Sequence, residues 1–198
     1  MWAELRRRYA GRVAFDWKIA KMAAADFPTS HTQYDWFLRR SAAVMRSAFV
    51  PTSAYYEYPI PDGYPAASAV AEAARTLGVV DDRVRTALSA AAYRHGRKVG
   101  RLDVAVGIAA AAGGLDAARV RALALSPEIG ARLEETTAEF HALQVAQRPT
   151  FVLEDEIGDK AVFSGLVKLE PLAATIDTML ADAADYAAYR AQHGDAPA

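Results

Sequence analysis

The 198-residue chain contains no cysteine. No disulfide, thiolate nucleophile or thiolate metal ligand can therefore form within it. It also lacks a charge excess: 23 Lys and Arg stand against 24 Asp and Glu, a formal charge of -1. That balance exerts no global pull toward nucleic acid or a membrane surface, and neither is expected as a partner. No apolar run reaches the length of a membrane span. Met1-Trp2-Ala3-Glu4-Leu5-Arg6-Arg7-Arg8 holds no signal-peptide core, so the cytoplasm is the expected location. Gly-x-Gly-x-x-Gly, Walker and Gly-x-Ser-x-Gly motifs are missing, which argues against dinucleotide, P-loop and esterase chemistry. Neither His-x-x-x-His nor Glu-x-x-His spacing occurs, and no metal is expected. No internal repeat is evident.

What is present suffices for a globular domain. The chain is 53% hydrophobic and 24% charged, enough to bury a core. Its length suits one domain, or one domain carrying a sizeable insertion.

Residues 145–169 organise the rest. Phe151-Val152-Leu153 and Ala161-Val162-Phe163 are short, apolar, β-favouring runs. The polar stretch between them carries Gly158 and suits a hairpin loop. Pro149 stands just before the first strand, where its missing N–H costs no ladder bond and a cis peptide can be built in. A helix over residues 170–182 then returns. Proline, two antiparallel strands and a closing helix resemble the C-terminal half of a thioredoxin-like fold.

Upstream, residues 2–9 read as a helix stopped by Gly11, and residues 13–17 alternate as a strand. Residues 31–48 are expected to be helical. Residues 50–65 form an aromatic, proline-rich loop holding Tyr55, Tyr56, Tyr58 and Tyr64. Helices follow over residues 66–77, 81–95, 101–112, 117–123 and 127–143. Their ends are marked by Gly78, Gly96 and Gly113-Gly114, and their starts by Asp116, Ser126 and Pro127. The Ala-rich tail beyond Asp182 is expected to fray toward its end.

Several side chains are candidates for chemistry. His31 and Asp35 lie four apart at a helix start, on one face, as a His–carboxylate pair requires. Asp35 can equally meet Arg39. His31, Asp35 and Glu57 can converge only if the fold brings them together. His141 sits on the helix that approaches Pro149, as a groove-facing group or a boundary histidine. His95 suits a helix C-terminus, where a cation complements the dipole. The tyrosine loop with Trp36 could line a pocket for a flat or aromatic ligand, or simply pack.

The order helix, strand, helical block, strand, strand, helix resembles the DsbA family, particularly its FrnE-like and 2-hydroxychromene-2-carboxylate isomerase branch. The resemblance rests on residues 9–15, 66–78 and 148–153, with Phe163-Ser164-Gly165, and is sharpest at Pro149-Thr150-Phe151 and Phe163-Ser164-Gly165. It implies an α/β fold. Residues 1–22 and 145–198 would form a thioredoxin-like core, and residues 23–144 an all-helical insertion. The family carries a first strand and a Cys-x-x-Cys (or a Ser) before its first helix, whereas this chain begins inside that helix. Three explanations stand: loss of that segment, a start further upstream, or a partner that supplies the strand. An uncovered edge beside residues 13–17 invites pairing, so a homodimer or a partner protein is expected there.

In the family, a small or β-branched residue usually precedes the proline, and the position faces the groove. Here Arg148 occupies it, and would offer a bidentate donor to an anion or pair with Glu154 or Asp155. The relatives also roof the groove with the region equivalent to the tyrosine loop. The resemblance thus implies a cysteine-free binder of a small anionic or aromatic molecule, held between core and insertion. Arg148, Pro149, Thr150, Tyr55, Tyr56, Tyr58, Trp36 and His141 would bind it, and His31 would be the catalytic candidate. Glutathione is the candidate cofactor if the protein acts as an isomerase or transferase. The alternatives are a non-catalytic partner subunit, and an oxidoreductase whose active-site segment precedes Met1.

Overall fold

A computed structural model describes residues 1–23, 26–45, 54, 56–59 and 66–194. The chain divides into two compact units. One joins Met1–Asp16 to Gln144–Ala198, and the other is Trp17–Leu143.

The first unit contains α1 (Trp2–Arg8), β1 (Thr150–Glu154), β2 (Lys160–Ser164) and α8 (Leu169–His193). β1 and β2 pair antiparallel with Phe151 opposite Phe163 and Val152 opposite Val162. The period of two sends Phe151, Leu153 and Phe163 to one face, where they pack with Leu5, Tyr9, Leu172, Ala173 and Ile176. Val152 (43% exposed) and Val162 (39%) are left on the other face. Asp155 shapes the turn by accepting from the N–H groups of Ile157 (3.1 Å) and Asp159 (2.8 Å).

The strand expected over residues 13–17 does not form. Among the described residues the sheet is two-stranded, β1 with β2. The alternation itself is real, since Val13, Phe15 and Trp17 are half-buried while Ala14 and Asp16 are exposed. From Trp17 onward, side chains take the backbone groups that a ladder would use. Arg75 donates to the Trp17 carbonyl (2.6 Å), Thr136 Oγ1 to the Ile19 carbonyl (2.6 Å), and the Lys21 N–H to Thr137 Oγ1 (2.9 Å). Ion pairs of Lys18 with Glu139 and Lys21 with Glu134 fasten the same stretch.

The second unit is helical: α2 (His31–Met45), α3 (Ala66–Thr76), α4 (Arg83–Tyr93), α5 (Leu102–Gly113), α6 (Ala117–Ala124) and α7 (Pro127–Ala142). Residues 46–48 of the expected first helix lie outside the described residues. α3 is the centre, in contact with α4, α5, α6 and α7. Ala66, Ala67, Ala71, Ala73 and Ala74 are all buried, and small side chains let four neighbours approach one helix. Asp116 caps α6 by accepting from the Arg119 N–H (2.8 Å), and Ser126 caps α7 by accepting from the Ile129 N–H (3.3 Å).

α5 ends on Gly114, at φ +65 in the left-handed region. A Cβ there would meet nothing within 4 Å, so Gly114→Ala carries only the conformational penalty. Urea denaturation is expected to show a loss of about 1 kcal/mol.

α8 runs to His193, eleven residues past the expected end at Asp182, because alanine sustains a helix well without tertiary help. Among the described residues no helix is long and apolar enough to cross a membrane.

Candidate functional site

In the helical unit, α2 positions the first group of expected residues. Its N-terminus is held by Ser30 Oγ, which accepts from the Gln33 N–H (3.2 Å). His31 follows, exposed, with its ring edge-on to Tyr58 at 4.9 Å. No hydrogen bond joins His31 to Asp35. The Asp35 carbonyl instead accepts from Arg39 Nε (3.4 Å). Trp36 is 56% exposed and meets Phe37 edge-on at 5.3 Å. Phe37 lies 4.9 Å from Tyr56, and Tyr56 lies 5.8 Å from the buried Phe27. Tyr56 is thus packed between two phenylalanines, and Tyr58 rests against the histidine. Tyr55 and Tyr64 lie outside the described residues.

His141 is exposed in the last turn of α7, its ring 5.5 Å from that of Phe140. His95 is exposed just past α4, and His193 ends α8 with its ring 4.5 Å from Tyr189.

In the other unit, the Arg148–Pro149 peptide is cis. The Pro149 carbonyl accepts from the Gly165 N–H (2.8 Å), and Thr150 Oγ1 donates to the Gln147 carbonyl (2.7 Å). Glu154 pairs with Lys160 at 2.5 Å. Arg148 is half-buried and Pro149 exposed.

One pairing was not foreseen from sequence, that of Glu57 with Arg101 and Lys98. Glu57 is 4% exposed, yet its carboxylate is fully engaged. Arg101 donates through Nε (3.0 Å) and a terminal nitrogen (2.8 Å), and Lys98 Nζ lies 3.1 Å away. Burial alone would raise the Glu57 carboxyl, but the hydrogen bonds from Arg101 and Lys98 outweigh it and hold the group below the usual carboxylate range. The pair spans 44 positions of sequence, so no local spacing signals it. Glu57 is therefore committed to two cations. Among the described residues no three His, Asp or Glu side chains gather as a metal site would need.

Comparison with known proteins gives a family and a fold. The model of a DSBA-like thioredoxin domain matches residues 13–177. A crystal structure from Nitrosomonas europaea, provisionally assigned as a protein disulfide isomerase, aligns with a TM-score of 0.65 at 17% sequence identity. The alignment covers 91% of this chain and 88% of that one. No curated protein sequence matches.

Proposed function

The chain belongs to the DSBA-like thioredoxin family, and from that premise we propose that it is a non-redox member that binds a small anionic or aromatic molecule. The observation that carries this reading is the complete absence of cysteine from a fold whose relative is assigned to disulfide isomerisation. Thiol–disulfide exchange needs an attacking thiolate, and this chain can supply none. What it keeps is binding chemistry. The helical unit has a ring cluster with Trp36 open to solvent, suited to stacking. The other unit carries Arg148, whose planar fork suits a carboxylate. If the bound molecule is transformed, the step is an isomerisation or conjugation without a protein thiol. Glutathione would then be the co-substrate, and His31 the group to take or give a proton.

Isothermal titration with glutathione and with aromatic carboxylic acids tests this. Saturable binding of one of them is expected; Trp36→Ala tests the ring cluster of the helical unit and Arg148→Ala the other unit, and one of the two should weaken binding about tenfold. No binding to any would overturn the reading.

A second reading, a non-catalytic partner subunit or homodimer, is favoured by the outward-facing pair Val152 and Val162. Native mass spectrometry separates the two. A retained small molecule supports the first, and a stoichiometric second polypeptide supports the other.

A further inference from the structure

The core-packed part of α8 ends at Leu180. Leu172, Ala173 and Ile176 are buried and Leu180 packs beside them, whereas residues 184–193 are all exposed. Alanine sustains the helix there, but alanine does not cover every side of it. Met179, Asp182, Tyr186, Tyr189 and His193 recur at intervals of three, four, three and four residues. That spacing gathers side chains into one seam along a helix. At 3.6 residues per turn the seam lies about a quarter of a turn from the line of Leu172, Ile176 and Leu180, so it is not part of the core face.

The seam has the make-up of a contact surface. Tyr186 is 44% exposed and Tyr189 59%. Their ring neighbours are on α8 itself, with the Arg190 guanidinium 6.0 Å from the Tyr186 centroid and the His193 ring 4.5 Å from that of Tyr189. Tyrosine joins an apolar ring to a hydroxyl that water can satisfy, so it tolerates exposure in a free chain and gains on burial in an interface. The order of the seam is also self-complementary. A carboxylate, Asp182, stands toward one end, an imidazole, His193, at the other, and two tyrosines lie between. Turned end for end against a second copy, Asp182 falls opposite His193 of the copy and Tyr186 opposite its Tyr189, and the two-fold axis repeats each pair. A parallel arrangement would set Asp182 against Asp182 and His193 against His193. Charge therefore selects the antiparallel one.

We propose that the seam of α8 is a homodimer surface, on which a second copy of this chain docks antiparallel over residues 179–193. Two tyrosine layers form its centre, and an Asp182–His193 pair closes it at each end. The inference rests on the second reading above, that of a homodimer, and deepens it by placing the contact on α8 and not on the sheet face of Val152 and Val162. The paired stretch is about 20 Å long at 1.5 Å per residue. That is short for an interface, so association in the micromolar range is expected.

Sedimentation velocity from low micromolar to submillimolar concentration tests this. The unmodified protein is expected to dimerise reversibly, and Tyr186→Ser combined with Tyr189→Ser should leave a monomer. His193→Asp sets two carboxylates face to face and should weaken the dimer about tenfold. Adding Asp182→Lys to His193→Asp restores an opposite-charge pair and should recover most of that loss. Because the chain has no cysteine, single introduced thiols read the orientation under mild oxidation. Asp182→Cys mixed with His193→Cys should cross-link, and Asp182→Cys alone should not. Self-linking of Asp182→Cys with no gain on mixing overturns the proposal. A dimer indifferent to the tyrosine and His193 variants overturns the α8 surface and leaves the homodimer reading standing. A protein that is monomeric at every concentration, with no second polypeptide bound, overturns both. The altered side chains are all exposed, and circular dichroism checks the helix content of each variant. Should the tyrosine variant lose it, the charge swap and the thiol pair still decide the outcome.

Discussion

Tyr9→Ala is expected to lower the unfolding free energy by about 3–5 kcal/mol, the usual range for emptying a buried aromatic position. Tyr9 is 0% exposed and, among the described residues, packs in a small core with the buried Leu5, Leu172, Ala173 and Ile176. So small a core has little material to collapse into the void. The ring also lies within reach of two guanidiniums, Arg8 at 5.3 Å and Arg12 at 5.2 Å, and both contacts vanish with it. Its hydroxyl donates to the Ala173 carbonyl at 2.9 Å. Tyr9→Phe keeps the packing and loses that bond, so about 1 kcal/mol is expected from it.

Guanidinium denaturation followed by circular dichroism reads both variants. An alanine variant within about 1 kcal/mol of the parent would show that the ring does not hold the unit together. Burial first, and the neighbouring Asp177 carboxylate second, push the Tyr9 phenol up from its usual value. The folded state then holds that proton more tightly than the unfolded one. The contribution is complete below about pH 10 and is lost as pH rises through the higher folded value. Tyr9→Phe should remove this alkaline loss.

The second large effect belongs to Glu57. Arg101→Met leaves the buried Glu57 carboxylate with Lys98 alone, and a loss of stability is expected at neutral pH. The loss is tempered because the Arg101 side chain is itself 54% exposed. The pH dependence has a definite sign. The folded-state value of Glu57 is depressed, so its contribution is present above the unfolded value of about 4.3 and is lost as pH falls through the lower folded one. In Arg101→Met the carboxylate, deprived of its fork, gains stability on protonation. The gap between parent and variant should therefore narrow as pH drops from 7 toward 3 in thermal melts. A gap that stays constant with pH would mean that Arg101 acts through its methylenes and not its charge.

The local grammar of the chain was readable. Asp116, and Ser126 with Pro127, announce two helix starts because a short side-chain acceptor and a preset φ act within one turn. The hairpin was readable because its alternation and its turn residues agree. The resemblance to the DsbA family, drawn from proline, hairpin and helical block, holds over residues 13–177. What failed was whatever depends on a distant partner. Residues 13–17 show a strand's alternation and its burial, but only the fold reveals that Arg75 takes the Trp17 carbonyl at the end of that run and that Thr136 and Thr137 bond Ile19 and Lys21 just beyond it. The end of α8 was placed too early because exposed alanines look like a tail in composition while remaining helix formers. Glu57 reads in sequence as a loop carboxylate able to converge with His31 and Asp35, and its claim by Arg101 lies beyond any local window.

The unit that contains Tyr9 is assembled from two segments far apart in sequence, with the whole of Trp17–Leu143 between them. On a ribosome, α1 emerges before α8 and must wait, with Leu5 and Tyr9 in water, until α8 has been made. Trp17–Leu143 is contiguous and built from neighbouring helices, so its contacts can form while synthesis continues. Closing the first unit then joins ends already brought nearer by a folded segment, which lowers the loop entropy that a disordered chain of that length would oppose. The expected order of folding is the helical block first and the two-segment unit last.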